Sequence, residues 1–205
     1  MLIGIPLAAY VALSHSRARY LVEALVALPL ILPPTVLGFY LLVGLGPLTP
    51  LGHGITTLLG HTLAFSFAGL VVGSVLYSLP FAVQPIVAGL RSVDPAYLQV
   101  ADTLGASPLR RFLRIALPLA KGSVLSAAVL TFTHTVGEFG VVLMLGGSIP
   151  GQTRTLSISL FDLVENGDFA RANRIALLLL AFSTLALVLL YARQGLTYQR
   201  FRRGE

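Results

Sequence analysis

Residues 24–90 read ALVALPLILPPTVLGFYLLVGLGPLTPLGHGITTLLGHTLAFSFAGLVVGSVLYSLPFAVQPIVAGL, and this stretch decides the fold. It contains no Asp, Glu, Lys or Arg and is closed by Glu23 on one side and Arg91 on the other. A helix needs roughly 20 apolar residues to cross the hydrocarbon layer of a bilayer, so the run has room for two spans and a loop. Gly44, Gly46, Pro47, Pro50, Gly52 and Gly54 punctuate its middle and mark that loop. One span is expected over about 24–45 and a second over about 60–90.

Further along, apolar runs predict spans over about 122–146 and about 175–192. Residues 1–14 are apolar but short, and they lack the charged start of a signal peptide. They are read as a first membrane helix that is short or truncated at its N-terminus. The expected fold is all-α: a single domain over 1–205, a polytopic bundle of about five spans. Composition agrees, with 56% hydrophobic and only 11% charged residues, where soluble domains carry about 25% charged. With no cysteine, there is no disulfide framework and no thiolate metal site.

Charge sets an expected topology. Arg17 and Arg19, then Arg91, Arg110, Arg111, Arg114 and Lys121, then Arg193, Arg200, Arg202 and Arg203 fall on one side of the expected spans; only Arg154, Arg171 and Arg174 fall on the other. Basic residues collect on the cytoplasmic side of membrane proteins. The N-terminus is therefore expected outside and the C-terminus inside.

The segment over 92–119, SVDPAYLQVADTLGASPLRRFLRIALPL, is the most informative stretch between the spans. Asp94-Pro95 is a helix start, with Asp as cap and Pro in the first turn. Gly105 is a helix end that uses a left-handed residue. Ser107-Pro108 starts a second helix, and Pro118 is expected to end it. Tyr97, Leu98, Ala101 and Leu104 share one face of the first helix; Leu109, Phe112, Leu113 and Ala116 share one face of the second. Such a pair fits an interfacial anchor or a docking knob for a cytoplasmic partner.

The order Ala101, Gly105, Ile115, Leu117, Pro118 resembles the EAA motif of ABC-transporter permeases, with Gln99-Val100-Ala101 standing where the family has Glu-Ala-Ala. The resemblance implies that Gln99, Ala101, Asp102, Gly105, Ala106 and Ser107 touch the ATP-hydrolysing subunit. Two more segments, LPLILPPTVLGFYLL over 28–42 and GEFGVVLMLGGSIPGQTRTLSISLFD over 137–162, resemble the molybdate/tungstate branch of the oxyanion permeases, whose near relatives carry sulfate or thiosulfate. What this implies is the permease of an ATP-driven molybdate importer in a prokaryotic plasma (inner) membrane, with a pair of cytoplasmic ATP-binding subunits and an extracytoplasmic oxyanion-binding protein as partners. The binding protein is expected to dock on the outward loops, about 46–58 and 148–168. Five spans are few to enclose a pathway, and two-fold assembly is the commonest kind, so a homodimer surrounded by membrane lipid is expected. No cofactor and no nucleic acid are implied.

Inside the spans the polar groups are few. Glu138 is the one charge between Lys121 and Arg154, and a carboxylate in a span costs about 2.5–3.5 kcal/mol on insertion scales. A structural role and a gating role both fit it, with backbone donors or Thr and His groups of its own segment, such as Thr135 and His134, as candidate bond donors. Gly137 and Gly140 flank it and allow close approach. Thr35, Ser74, Ser78, Ser126, Thr131, Thr133 and Thr135 are candidate pathway hydroxyls, each with the alternative of bonding its own helix. The candidate gate set is Glu138, Thr135, Gly137, Thr131 and Ser78. No Lys or Arg lies in the expected spans, so tight anion binding by guanidinium forks is not expected there. Pro29, Pro33, Pro34, Pro80 and Pro85 break helix bonding within the spans, which hydrocarbon tolerates only beside protein or a watery cavity. Gly69 and Gly73 have the spacing of a close helix contact.

The sequence has no G-x-x-x-x-G-K-[ST] phosphate loop, so ATP hydrolysis is expected from another chain. His15, His53, His61 and His134 have no metal-ligand spacing. The alternatives are a sulfate/thiosulfate or tungstate permease of the same type, a secondary transporter and a membrane adaptor whose helices recruit a partner. A secondary transporter would call for an intramembrane charge network and an internal repeat; the isolated Glu138 and the absence of an evident repeat count against it.

Overall fold

The computed structural model describes the backbone of residues 1–203 and the side chains of residues 1–192. The side chains of Arg193, Arg200, Arg202 and Arg203, and so the tail's part in the charge partition, lie outside the described residues. In chain order the helices are α1 (Gly4–Leu13), α2 (Ala18–Ile31), α3 (Pro34–Leu45), α4 (Pro50–Leu59), α5 (Phe67–Arg91), α6 (Pro95–Thr103) and α7 (Pro108–Arg111). A π-helical turn (Phe112–Ala116) follows, then α8 (Leu117–Leu119), α9 (Lys121–Gly137), α10 (Gly140–Gly146), α11 (Leu156–Glu165) and α12 (Phe169–Arg203). No strand occurs among the described residues.

Helix α5 and the Phe169–Ala192 part of α12 are each long and apolar enough to cross a membrane, and α2–α3 and the α7–α9 stretch qualify as bent pairs. The structure departs from five uniform spans in three places. The expected span over 24–45 is two helices meeting at 115°, because Pro33 and Pro34 supply no amide hydrogen and their rings exclude a continuous helix. The expected span over 122–146 breaks at Glu138 and Phe139, between α9 and α10. At ten residues, α1 is a short apolar helix. The expected outward loop over 46–58 is also mostly helix: Thr49 caps α4 by accepting from the Gly52 amide at 3.1 Å, with Pro50 in the first turn.

The chain forms two compact units, residues 1–27, 79–132 and 185–205 in one and 28–78 and 133–184 in the other. The first unit centres on Ala8, Val11, Val83, Ile86, Leu90, Ala116 and Ala127, all buried. At its edge Arg91 donates to both carboxylate oxygens of Glu23, at 3.0 and 2.9 Å. The two charges that close the uncharged run thus pair with each other.

Pro118 does not end its helix, contrary to expectation. Proline crowds the carbonyl four residues back, and the turn before it widens so that the Leu117 amide reaches the Phe112 carbonyl, five residues back. The helical path passes through Pro118, and the 74° bend falls between α8 and α9, at Ala120.

In the second unit α10 packs on α3 and α5. A Cβ on Gly38 would lie 2.7 Å from the Met144 Cβ, so only glycine permits this approach of α3 to α10. Gly73 makes the matching contact from α5, its Cβ position 3.0 Å from Leu145 Cδ2, whereas Gly69 abuts the Leu63 carbonyl of its own lead-in loop. The expected glycine pair is therefore half a helix contact and half a turn.

Nearly half of the apolar window of α5 is buried, 44%, against 6% for α12. On α12, Leu177, Leu178, Leu185, Val188 and Leu189 stand exposed. An apolar face of this extent is not stable in water, and in a membrane it meets lipid. Within the bilayer, helices associate through close packing rather than through escape from water, which gives the glycine contacts their weight.

Gly38→Leu is expected to cost about 1–3 kcal/mol through overpacking and to lower the thermal midpoint of the detergent-purified protein. Gly54→Ala, in α4 with nothing within 4 Å of the new Cβ, is expected to raise stability by about 0.5–1 kcal/mol.

Candidate coupling segment and intramembrane polar cluster

The segment over 92–119 is built by its caps. Asp94 Oδ1 accepts from the Ala96 amide at 2.8 Å, and Pro95 opens α6. The helix ends on Gly105 at φ +74. There the Ala106 amide donates to the Ala101 carbonyl and the Gly105 amide to the Asp102 carbonyl, both at 3.0 Å, bonds that close a helix on a left-handed residue. Ser107 accepts from the Arg110 amide at 3.4 Å and starts α7. Across the turn, Arg111 donates to both oxygens of Asp102.

The six residues implied to touch an ATPase are placed differently from one another. Gln99, Asp102, Gly105 and Ser107 are exposed, Ala106 is half-buried, and Ala101 is buried at 4% exposure in its own unit. The expected apolar faces divide in the same way. Leu98, Ala101, Phe112 and Ala116 turn inward, while Tyr97, Leu104, Leu109 and Leu113 stand exposed. Beside the turn lies a groove of about 640 Å³ walled by Tyr97, Val100, Leu104 and Ile115, with Arg110 and Arg114 at its edge.

A polar cluster lies in the second unit. The Ser78 hydroxyl, 3% exposed, is 2.8 Å from Thr135 Oγ1 and 3.1 Å from His134 Nδ1. The His134 ring lies 5.0 Å from that of Tyr77. Glu138 is buried at 4% exposure, and neither carboxyl oxygen has a hydrogen-bond partner among the described residues. Of the candidate donors to Glu138, Thr135 and His134 instead meet Ser78. Ser74, half-buried on α5, is the neighbouring hydroxyl that bears on the carboxyl.

Of the candidate gate set, Ser78 and Thr135 meet directly. Gly137 is exposed, with nothing within 4 Å of a Cβ position. Thr131 donates to the Ala127 carbonyl at 2.6 Å and Ser126 to the Gly122 carbonyl at 2.9 Å, so both take the alternative of bonding their own helix. Thr35 is exposed and Ser74 and Thr133 are half-buried. No His/Cys/Asp/Glu cluster able to hold a metal exists among the described residues.

The segment over 148–168, expected to face outward, is pinned as well. Thr155 caps α11 through the Ile158 amide at 3.3 Å, and Asp168 caps α12 through the Arg171 amide at 3.1 Å. Ser148 donates to Asp162 at 2.7 Å, and Arg154 donates to Ser148 at 3.0 Å. Two features escaped the sequence reading, helix α4 and the break at Glu138. Thr49-Pro50 signals the first, and the glycines at 137 and 140 signal the second.

The chain is thus apolar and helical, with a capped, glycine-turned segment between candidate membrane spans. The chain belongs to the family of binding-protein-dependent transport system inner membrane components, whose model matches residues 4–203; it is an inner-membrane, multi-pass transport component. It is 48% identical over 205 residues to the molybdenum transport system permease protein ModB of Azotobacter vinelandii, covering all of this chain and 88% of that relative. Its fold is similar to that of a bacterial ABC transporter involved in import of the acidic polysaccharide alginate, with TM-score 0.67 at 21% identity over 96% of this chain and 72% of that one. A second structure, the alginate transporter in complex with an alginate pentasaccharide-bound periplasmic protein, gives TM-score 0.65 at 20% identity over 92% and 68% of the two chains.

Ser78→Ala removes the group shared by Thr135 and His134 and is expected to cost about 1–3 kcal/mol. Ser126→Ala is expected to stay within about 0.5 kcal/mol. Thermal unfolding of the two variants in the same detergent checks the difference.

Proposed function

We propose that this chain is the membrane-spanning subunit of an ATP-driven molybdate importer. Two copies form the translocation pathway, and all 205 residues act as one permease domain in each. A separate pair of ATP-binding subunits docks on 92–119, through Gln99, Asp102, Gly105, Ala106 and Ser107, with Ala101 supporting that surface from behind. An extracytoplasmic oxyanion-binding protein delivers the substrate to α4 and to the 148–168 loop. The coupling segment is then cytoplasmic, with the N-terminus outside and the C-terminus inside. Glu138, Thr135, Gly137, Thr131 and Ser78 are assigned to the pathway or its gate.

The observation that carries the reading is the turn at Gly105. It is capped on both sides, braced by Asp102 and Arg111, and exposed at its tip. A segment so ordered and so exposed suits rigid contact with a partner. The substrate class rests on the likeness to ModB along the whole chain, and the delivery protein on the family description and the alginate complex. The two-copy assembly is supported by the exposed apolar side chains of Leu28, Ile31, Phe39 and Tyr40 in the second unit and by two-fold pairing being the commonest assembly.

The test is reconstitution in lipid vesicles with the ATP-binding subunit and the binding protein. Molybdate is expected to stimulate ATP hydrolysis, with tungstate and sulfate as comparison anions. Gly105→Trp is expected to lower stimulation by at least about tenfold while the variant still folds, because no atom lies within 4 Å of the Gly105 Cβ position and a left-handed non-glycine residue costs only about 1–2 kcal/mol. Full stimulation in a folded Gly105→Trp permease would remove the docking role. Greater stimulation by sulfate than by molybdate would reassign the substrate.

A further inference from the structure

Glu138 sits in the break between α9 and α10, sealed from solvent, and neither of its carboxyl oxygens meets a donor among the described residues. The surrounding groups are known. From α5, the Ser74 hydroxyl bears on the carboxyl, and the Tyr77 phenol lies within range of its charge. From α9, His134 is engaged by Ser78. Helix α10 has no titratable residue. On α11, Asp162 is held by Ser148 and Arg154, and Glu165 is exposed. On α3, Tyr40 is exposed. No Lys or Arg stands in the α3, α5, α9 or α10 segments of this unit.

An ionised carboxylate in this position has given up water and gained no cation among the described residues, with only the Ser74 hydroxyl beside it, whereas the neutral acid gives up far less. We infer that Glu138 is a proton-binding site, filled in this conformation and emptied to water when the break between α9 and α10 opens. The step is the loss of one proton from the carboxylic acid to solvent, leaving the carboxylate; it needs no other reactant. The inference rests on the proposed role of Glu138 in the pathway. Opening then releases a proton, so the open state gains population as pH rises, by up to about tenfold per pH unit for one site.

Two measurements test it. In vesicles holding the permease, its ATP-binding subunit and its binding protein, molybdate-stimulated ATP hydrolysis is followed from about pH 6 to about pH 8, the range in which His134 also titrates if accessible. The wild type is expected to rise several-fold across this range, His134→Gln to keep that slope, and Glu138→Gln to stay flat. Glu138→Leu serves in the same way if Glu138→Gln does not fold. Parallel profiles for wild type and Glu138→Gln overturn the inference. Separately, infrared spectra of the permease alone in lipid are expected to show the carbonyl stretch of a neutral carboxylic acid that Glu138→Gln lacks; its absence from the wild type also overturns the inference. If no oxyanion stimulates hydrolysis at any pH, the transport reading fails, and the infrared band alone decides the proton site.

Discussion

Hydrocarbon offers no hydrogen bonds, so a backbone break inside a membrane protein has to be covered by protein or by enclosed water. This chain meets that constraint by placing two breaks against each other. Helix α3 begins at Pro34 and α10 begins at Gly140, and a Cβ on Gly140 would stand 2.7 Å from that of Pro34. The far end of α10 is completed by neighbours. The Phe65 amide donates to the Leu145 carbonyl at 2.8 Å, and the Thr153 hydroxyl donates to the Gly146 carbonyl at 2.7 Å. To make its bond Phe65 takes φ +58, a left-handed conformation that is uncommon for a bulky residue. A seven-residue helix has little stability of its own, and α10 is held by its packing on α3 and by the two bonds that complete its C-terminal end.

The pair of Glu23 and Arg91 carries positional information rather than stability. With side chains 38% and 46% exposed, such a bridge contributes at most about 1 kcal/mol. Its worth lies in the fact that the two residues bracket the uncharged run. Since they touch, the two ends of that run lie side by side at the edge of the first unit.

What was legible in the sequence was whatever a single residue type dictates locally. Asp94 before Pro95, Gly105 and Ser107 before Pro108 each act through their own backbone neighbourhood, and each occupies the position its chemistry demands. What was not legible depended on tertiary balance. Pro118 alone argues for a helix end, but a widened turn absorbs it without a break. The amphipathic stripes assume 3.6 residues per turn, and part of each stripe ends up outward, in the second helix because that turn is wider. At the polar cluster, composition identified Glu138, Thr135 and His134 as one neighbourhood but not who bonds whom. That outcome is set by Ser78, 56 residues from His134 along the chain, whose approach no local pattern encodes.

The distribution of stiffness along 92–137 bears on how a partner's motion would travel. Around Gly105 every device is rigid: two prolines at helix starts, two side-chain caps, a double amide closure and a bidentate ion pair. Beyond Arg111 the character changes. The π turn is a rarer and looser geometry than the α-helix around it, and the chain then bends by 74° at Ala120. Under the proposed coupling, a push at the glycine tip therefore moves α6 and α7 as a block, and the compliant points are the π turn and Ala120. Helix α9 starts directly after the second of these and runs without interruption to Gly137, the residue before Glu138. The coupling turn and the buried carboxyl thus lie on one stretch of chain, 94–138, with the π turn, the Ala120 bend and α9 between them.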